Sequence, residues 1–323
     1  MKRIAVCDAG GTHARFAIAS LRPGEVASLG EPITLRTSDH PDLPSAWREF
    51  GRRLGETLPR DMAIAFAGPV EGKALKLTNS AWTIHPDRLK DQLGVEHLTL
   101  VNDFGAVAFA VPWLGEAELR HICGPEQPLP EKGIITIVGP GTGLGVAALL
   151  RRPNGGCDVI ETEGGHMDFA PLDDVEDRIL AELRRRFERV SVERLVSGRG
   201  LLNFYQALAA IEGRPAVIDD EKALWSAALG GSDSRASRAL NRLCLSLGAI
   251  AGDLALAQGA RAVVIAGGIG LRLADRLPAS GFRDRFIAKG RFAGRMEAMP
   301  VKLITHPQPG LLGAAAAFLD QHP

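Results

Sequence analysis

The sequence predicts an α/β protein made of two related halves, and three observations carry that prediction. Apolar strands alternate with helical segments along the chain, the pattern of layered sheets and helices. A strand, a tight Gly-Thr turn and a second strand occur twice, as IAVCDAGGTHARFAIAS from Ile4 to Ser20 and as IITIVGPGTGLGVAALL from Ile134 to Leu150. Thr12 laid on Thr142, 130 residues later, also aligns Gly11 with Gly141 and Ala17 with Ala147. Finally, 323 residues that are 46% hydrophobic and 24% charged suit a soluble globular chain of two domains.

After the first hairpin, Ile33 to Thr37 reads as a short strand, and Pro41 to Leu54 as a helix with Trp47, Phe50 and Leu54 near one face. Met62 to Pro69 reads as a buried strand closed by Gly-Pro, and Leu75 to Trp82 alternates before it turns. Pro86 opens a helix to Leu93 that Gly94 ends. His97 to Phe104 is a short apolar strand running into Asn102-Asp103, with a helix expected from Gly105 to Leu114. Pro125, Pro128 and Pro130 make Gly115 to Gly133 a connecting loop. A strand from Asp158 to Glu163 follows the second hairpin. Helices are then expected over 174–187, 200–211, 219–230 and 234–258, with a strand over 262–269 that ends in glycines. The tail, Leu311 to Leu319, is an alanine-rich helix.

Lys+Arg and Asp+Glu are equal at 38, so there is no basic field to attract nucleic acid or an anionic membrane. Cys7, Cys123, Cys157 and Cys244 form no CxxC pair and read as reduced thiols of a cytoplasmic protein. The apolar run after Met1 is too short for a signal peptide, and no run of about 18 apolar residues is present to span a membrane.

The chemistry concentrates at the turns. No GxxxxGK[ST] or post-strand GxGxxG occurs, so neither a P-loop nor a dinucleotide fold is expected. In the two hairpins, Gly10, Gly11, Gly141 and Gly143 let backbone amides approach an anion, and Thr12 and Thr142 add hydroxyl donors. Two such turns on one chain predict a nucleotide's phosphates held for phosphoryl transfer. Asp8, at the strand end beside the first turn, suits Mg2+, which needs only one or two carboxylates; its structural alternative is a turn cap. Asp103 sits between strand and helix, where it reads equally as an acceptor for a hydroxyl proton or as an N-cap. Glu161-Thr162-Glu163-Gly164-Gly165-His166 fits a polyol clamp or an exposed acidic turn. Gly267 and Gly268, after a strand, leave room for a base or ribose, or else for close strand–helix packing.

In their order and spacing these pieces resemble the hexokinase/actin-type sugar kinases, specifically the bacterial ATP-dependent glucokinase family. The resemblance runs from DAGGTHARFAIA through VNDFGAVAFAV, VGPGTGLGVA, ETEGGHMDFAP, ERLVSGRGL and IAGGIG to PGLLGAAAAF. It implies a two-domain actin-like ATPase (ribonuclease H-like) fold with a central cleft, the small domain holding 1–112 plus 304–323 and the large one 113–303. It implies ATP-dependent phosphorylation of glucose at O6, with Asp103 as the base and residues 8–15 and 139–145 as phosphate motifs. The IAGGIG glycines become the adenosine motif. Asn102, Glu163, His166 and Glu193 match sugar-contacting positions, and Asn79 lies near them. A homodimer is implied too. Met167-Asp168-Phe169-Ala170-Pro171 follows His166 where the related ROK kinases carry a cysteine-rich zinc motif, so no zinc is expected. Pro140 takes one amide donor out of the second turn. The alternatives are a kinase for mannose or an N-acetylated amino sugar, and a non-catalytic sugar sensor. A sensor of the repressor kind would need a DNA-binding helix-turn-helix before the hairpin that starts at Ile4.

Overall fold

In the computed structural model, which describes residues 1–323 except Pro69, Glu71, Thr78, Asn79, Asn154 and Pro323, the first strand shows how the architecture arises. Successive side chains of β1 (Lys2–Ala9) point to opposite faces. Ile4 and Val6 enter one apolar cluster, while Ala5, Cys7 and Ala9 enter another. A strand buried on both sides needs helices on both sides, and the chain supplies them. It divides into two units, Met1–Gly115 with His306–Pro323, and Glu116–Thr305.

In the first unit β1 pairs antiparallel with β2 (His13–Arg22), which also pairs with β3 (Glu25–Leu29) and β4 (Ile33–Arg36). Helix α1 (Leu43–Leu54) follows, capped by Asp42, whose side chain accepts from the Ser45 amide at 2.7 Å. Strand β5 (Asp61–Phe66) lies parallel to β1. The two-residue strands β6 (Leu75–Lys76) and β7 (Thr83–Ile84) and helix α2 (Pro86–Leu93) lead to β8 (His97–Asn102), parallel to β5. Helix α3 (Asp103–Ala110) starts directly at the end of β8. The sheet order is β3-β2-β1-β5-β8. Phe16, Trp47 and Phe50 cluster on one face, with ring centroids 5.1–6.2 Å apart. On the other face lie α3 and the last helix, α11 (Pro309–Gln321), with Leu311, Ala314 and Phe318 buried against Ile4 and Val6. These two helices cross almost backbone to backbone: a Cβ on Gly313 would stand 1.6 Å from the Ala106 carbonyl oxygen.

The second unit repeats the plan. β9 (Leu119–Cys123) is followed by the hairpin of β10 (Gly133–Pro140) and β11 (Leu144–Arg151), and β12 (Cys157–Thr162) pairs with β11. Helices α4 (Asp174–Arg184), α5 (Gly198–Ile211), α6 (Glu221–Gly230) and α7 (Ser234–Gln258) precede β13 (Ala262–Ile265). Short helices α8 (Gly267–Arg272), α9 (Phe282–Ile287) and α10 (Ala293–Glu297) then lead to β14 (Val301–Ile304). The order β12-β11-β10-β13-β14, with β13 and β14 parallel to β10, matches the first sheet strand for strand, and β9 is added at the far edge. The repeat of one Gly-Thr hairpin therefore reflects the repeat of a whole five-strand topology. Helix α7 is long and apolar enough to cross a bilayer by length and composition, but it is mostly buried in the core of this unit.

Several elements depart from the sequence expectation. The stretch read as loop holds β9, whose Leu119, Ile122 and Cys123 are buried against the unit. The strand expected to reach Ile269 stops at Ile265, because Gly267 turns with φ +83° into α8. Helix α3 begins two residues earlier than expected, at Asp103. β3 and β14 carried no expectation.

Candidate active site

The first Gly-Thr turn hangs between β1 and β2, and its carbonyls are tied down. The Thr37 hydroxyl donates to the Gly11 carbonyl at 2.7 Å, and the Thr37 amide donates to the Thr12 carbonyl at 3.1 Å. The Gly10 amide closes the turn on the His13 carbonyl at 2.9 Å. Thr37 is buried and Thr12 is exposed, so the turn is braced from below with its threonine outward. Asp8 faces Arg15 across the hairpin, with Arg15 donating to its carboxylate at 3.2 Å. Burial pushes the Asp8 carboxyl above its ordinary pKa, outweighing the downward pull of Arg15. Gly310, at the start of α11, keeps space open here, since a Cβ on it would lie 3.3 Å from the Asp8 Cγ.

At the junction of β8 and α3 the cap falls on Asn102, not Asp103. The Asn102 Oδ1 accepts from the amides of Phe104 at 2.8 Å and Gly105 at 3.1 Å, and its Nδ2 donates to the Gly68 carbonyl at 3.0 Å. This settles the N-cap alternative for Asp103, which is instead the first helical residue. Asp103 is half-buried, and its Oδ1 accepts from the Phe104 amide at 2.9 Å.

In the second unit three predicted residues come together. Glu163 precedes and His166 ends the short 3-10 turn Gly164–His166, and Glu193 lies in another, Val192–Arg194. His166 Nε2 stands 4.0 Å from a carboxylate oxygen of each glutamate. Glu193 also reaches the second Gly-Thr turn: its Oε2 accepts the Leu144 amide at 2.9 Å. Gly143 has to be glycine for this, because a Cβ there would lie 2.4 Å from that same oxygen. Arg189 donates to the His166 carbonyl and pairs with Asp168 at 2.6 Å, fixing the backbone around His166. Within the turn the Gly141 amide bonds the Gly143 carbonyl at 2.8 Å, and the Gly198 amide bonds the Gly141 carbonyl at 2.8 Å. Thr142 is exposed. A Cβ on Gly267 would stand 2.6 Å from the Pro140 carbonyl oxygen, whereas one on Gly268 would meet open space. Gly267 is therefore a packing glycine against the turn, and Gly268 leaves the surface bare.

Each unit thus gathers its own share of the predicted residues. Asp8, Gly10, Gly11, Thr12, Asn102 and Asp103 belong to the first, and Gly141, Thr142, Gly143, Glu163, His166, Glu193, Gly267 and Gly268 to the second. Asn79 lies outside the described residues. Sequence reasoning missed Thr37, Arg15, Gly310 and Arg189, and only Arg15, inside the first motif, carried a local signal. Among the described residues no group of three or more His, Cys, Asp or Glu is arranged as a metal cage. A lone carboxylate such as Asp8 still fits Mg2+ that arrives with phosphates, because that ion keeps most of its ligands as water and phosphate oxygen.

The family model described as Glucokinase matches residues 5–322. The glucokinase of Zymomonas mobilis is 60% identical over 319 residues, 99% of this chain and 98% of that protein. The glucokinase of Caulobacter vibrioides is 43% identical over 320 residues, covering 98% and 95%. Among solved structures, glucokinase from an Antarctic psychrotroph superposes with a TM-score of 0.87 at 34% identity, over 98% of this chain and 99% of that one.

Proposed function

Since the chain belongs to the glucokinase family, we propose that Asp103 is the base that takes the proton from the 6-hydroxyl of glucose as ATP delivers its γ-phosphoryl group there. The chain is an ATP-dependent glucose kinase with the two-domain α/β fold of the actin-like sugar kinases. Its products are glucose 6-phosphate and ADP. The new bond joins O6 to the γ-phosphorus, the bond broken is that from the γ-phosphorus to the oxygen retained by ADP, and the hydroxyl proton passes to Asp103.

The observation that carries the assignment of the base is the junction of β8 and α3. Asn102 takes over the capping of α3, which leaves Asp103 placed by a strand end and a helix start rather than by a mobile loop. Such a carboxylate is held in one position, and positioning, together with electrostatic stabilisation, is what phosphoryl-transfer catalysis draws on. The part of Asn102 in sugar binding is then to hold this junction, because both its polar side-chain atoms are engaged within the unit. Glu163, His166 and Glu193 bond the ring hydroxyls of the sugar. Carboxylates accept two adjacent hydroxyls and an imidazole can donate or accept, so the trio fixes one stereochemistry.

The amides and hydroxyls around Gly10, Gly11 and Thr12, and around Gly141, Thr142 and Gly143, hold phosphate oxygens, with adenosine against Gly267 and Gly268. Mg2+ on the phosphates would offset charge at the β and γ groups, and Asp8, through water, is the carboxylate that would hold it. Four free thiols suit a reducing cytoplasm, and the family resemblance supports a homodimer, for which sedimentation is the check. The test of the reaction is ADP release with Mg-ATP and a panel of glucose, mannose, fructose and N-acetylglucosamine. Glucose should be the best substrate by kcat/KM, with the product phosphorylated at O6. A higher kcat/KM for mannose or the N-acetylated sugar would replace glucose as the substrate.

A further inference from the structure

The Leu144 peptide is gripped from both sides by the elements that carry the sugar clamp. Its amide is bonded by the Glu193 carboxylate at 2.9 Å, and its carbonyl oxygen presses on Gly165, where a Cβ would come within 2.2 Å. Gly164 next door packs on Val146, its built Cβ 3.0 Å from a Val146 methyl. Leu144 is the first residue of β11 and so terminates the second Gly-Thr turn. The same Glu193 carboxylate that bonds Leu144 faces His166 with its other oxygen. We infer that Glu193 is a positioning residue for the nucleotide turn as well as a sugar ligand, so that the sugar and phosphate subsites of this unit are braced on each other through the Leu144 peptide.

This inference rests on the assignment of Glu193 to the sugar and of residues 141–143 to the phosphates, and it adds a dependence between them. A carboxylate accepting a backbone amide makes one of the stronger hydrogen bonds in a protein. Losing it releases Leu144 and with it the orientation of the Gly143 and Thr142 donors. Conversely, a change in the turn that displaces the carboxylate should be felt by the sugar even when no nucleotide is bound.

Gly143→Ala isolates that crossed effect. The added methyl would collide only with the end of the Glu193 side chain, which can swing aside at little cost to the fold. The full-length variant should bind glucose roughly tenfold more weakly by calorimetry in the absence of nucleotide, the loss expected for one charge-assisted hydrogen bond, while its KM for ATP also rises. Glucose affinity within twofold of wild type, with only the ATP KM raised, would overturn the coupling. A second pair guards against a folding defect. Glu193→Gln retains an oxygen for the Leu144 amide and, at saturating glucose, should raise the ATP KM less than Glu193→Ala does. Equal ATP KM values for the two Glu193 variants would also overturn it. Failure of the underlying assignment has a different signature: wild type would bind glucose, yet Glu193→Ala would bind it equally well.

Discussion

Asp8, the carboxylate proposed to hold Mg2+ through water, carries a cost in stability. Its carboxyl is largely withdrawn from solvent at the strand end, and this desolvation raises its pKa despite Arg15. A raised folded-state pKa means the folded chain binds more protons than the unfolded one. Stability therefore falls as pH rises from the unfolded pKa through the folded one, and the full cost is present at neutral pH. Asp8→Asn should raise the melting temperature at pH 7, with the gain vanishing in acid, while turnover with Mg-ATP falls. A lower melting temperature at pH 7 would refute the cost assigned to the charge. Thr37→Val removes the hydroxyl that holds the Gly11 carbonyl, a bond worth about 1 kcal/mol, and should raise the KM for ATP several-fold with glucose affinity unchanged. Calorimetry with each ligand separates the two. Glu193, between Val192 and Arg194, was a candidate only through the family resemblance, whereas Asp8, Thr12 and Asp103 were legible as candidates because they sit beside glycines or at strand ends, where local pattern has meaning. Thr37 was not, since its hydroxyl crosses 26 residues to reach Gly11 and nothing in LRTSDH announces that.

At the scale of elements, α3 carries the proposed base and α11 holds α3 in place. Their contact runs through Gly313, whose missing side chain lets the Ala106 carbonyl approach. Gly313→Ala cannot be absorbed by a rotamer change, because the obstacle is backbone. It should cost about 3 kcal/mol, the upper end for overpacking, and lower the melting temperature by several degrees. Turnover of the folded fraction should fall too, because α3 starts at Asp103; unchanged kcat would separate helix packing from base placement. The long amphipathic and capped helices were readable in the sequence, and Ser234–Gln258 runs as expected, between Asp233 and Gly259. β9 was hidden by Pro125, Pro128 and Pro130 beyond its end. β14 was hidden by Lys302, a buried lysine that a four-residue pattern marks as solvent-facing. Its Nζ reaches Glu116 at 2.5 Å, a pairing that depends on chain folded from 186 residues away.

At the scale of the molecule, the two sheets share one five-strand order, each with a Gly-Thr turn, and the proposed reading assigns the base to one unit and the sugar ligands to the other. Only the hairpins of that duplication were legible in the sequence. β5 and β8 share no evident residue pattern with β13 and β14, because buried parallel strands need only be apolar. Glucose at a hundredfold excess over its dissociation constant should stabilise the folded chain by about 2.7 kcal/mol and raise its melting temperature, whereas mannose at equal concentration should do less. Equal shifts would deny the clamp its selectivity. The division of labour is tested most directly by Asp103→Ala, with glucose binding measured by calorimetry and turnover by ADP release on the same sample. Glucose affinity should stay near wild type, because the proposed sugar ligands Glu163, His166 and Glu193 are untouched, and kcat should fall by about 10²–10⁴, the usual contribution of a positioned base. Turnover within a few-fold of wild type would remove Asp103 from the reaction and contradict the mechanism.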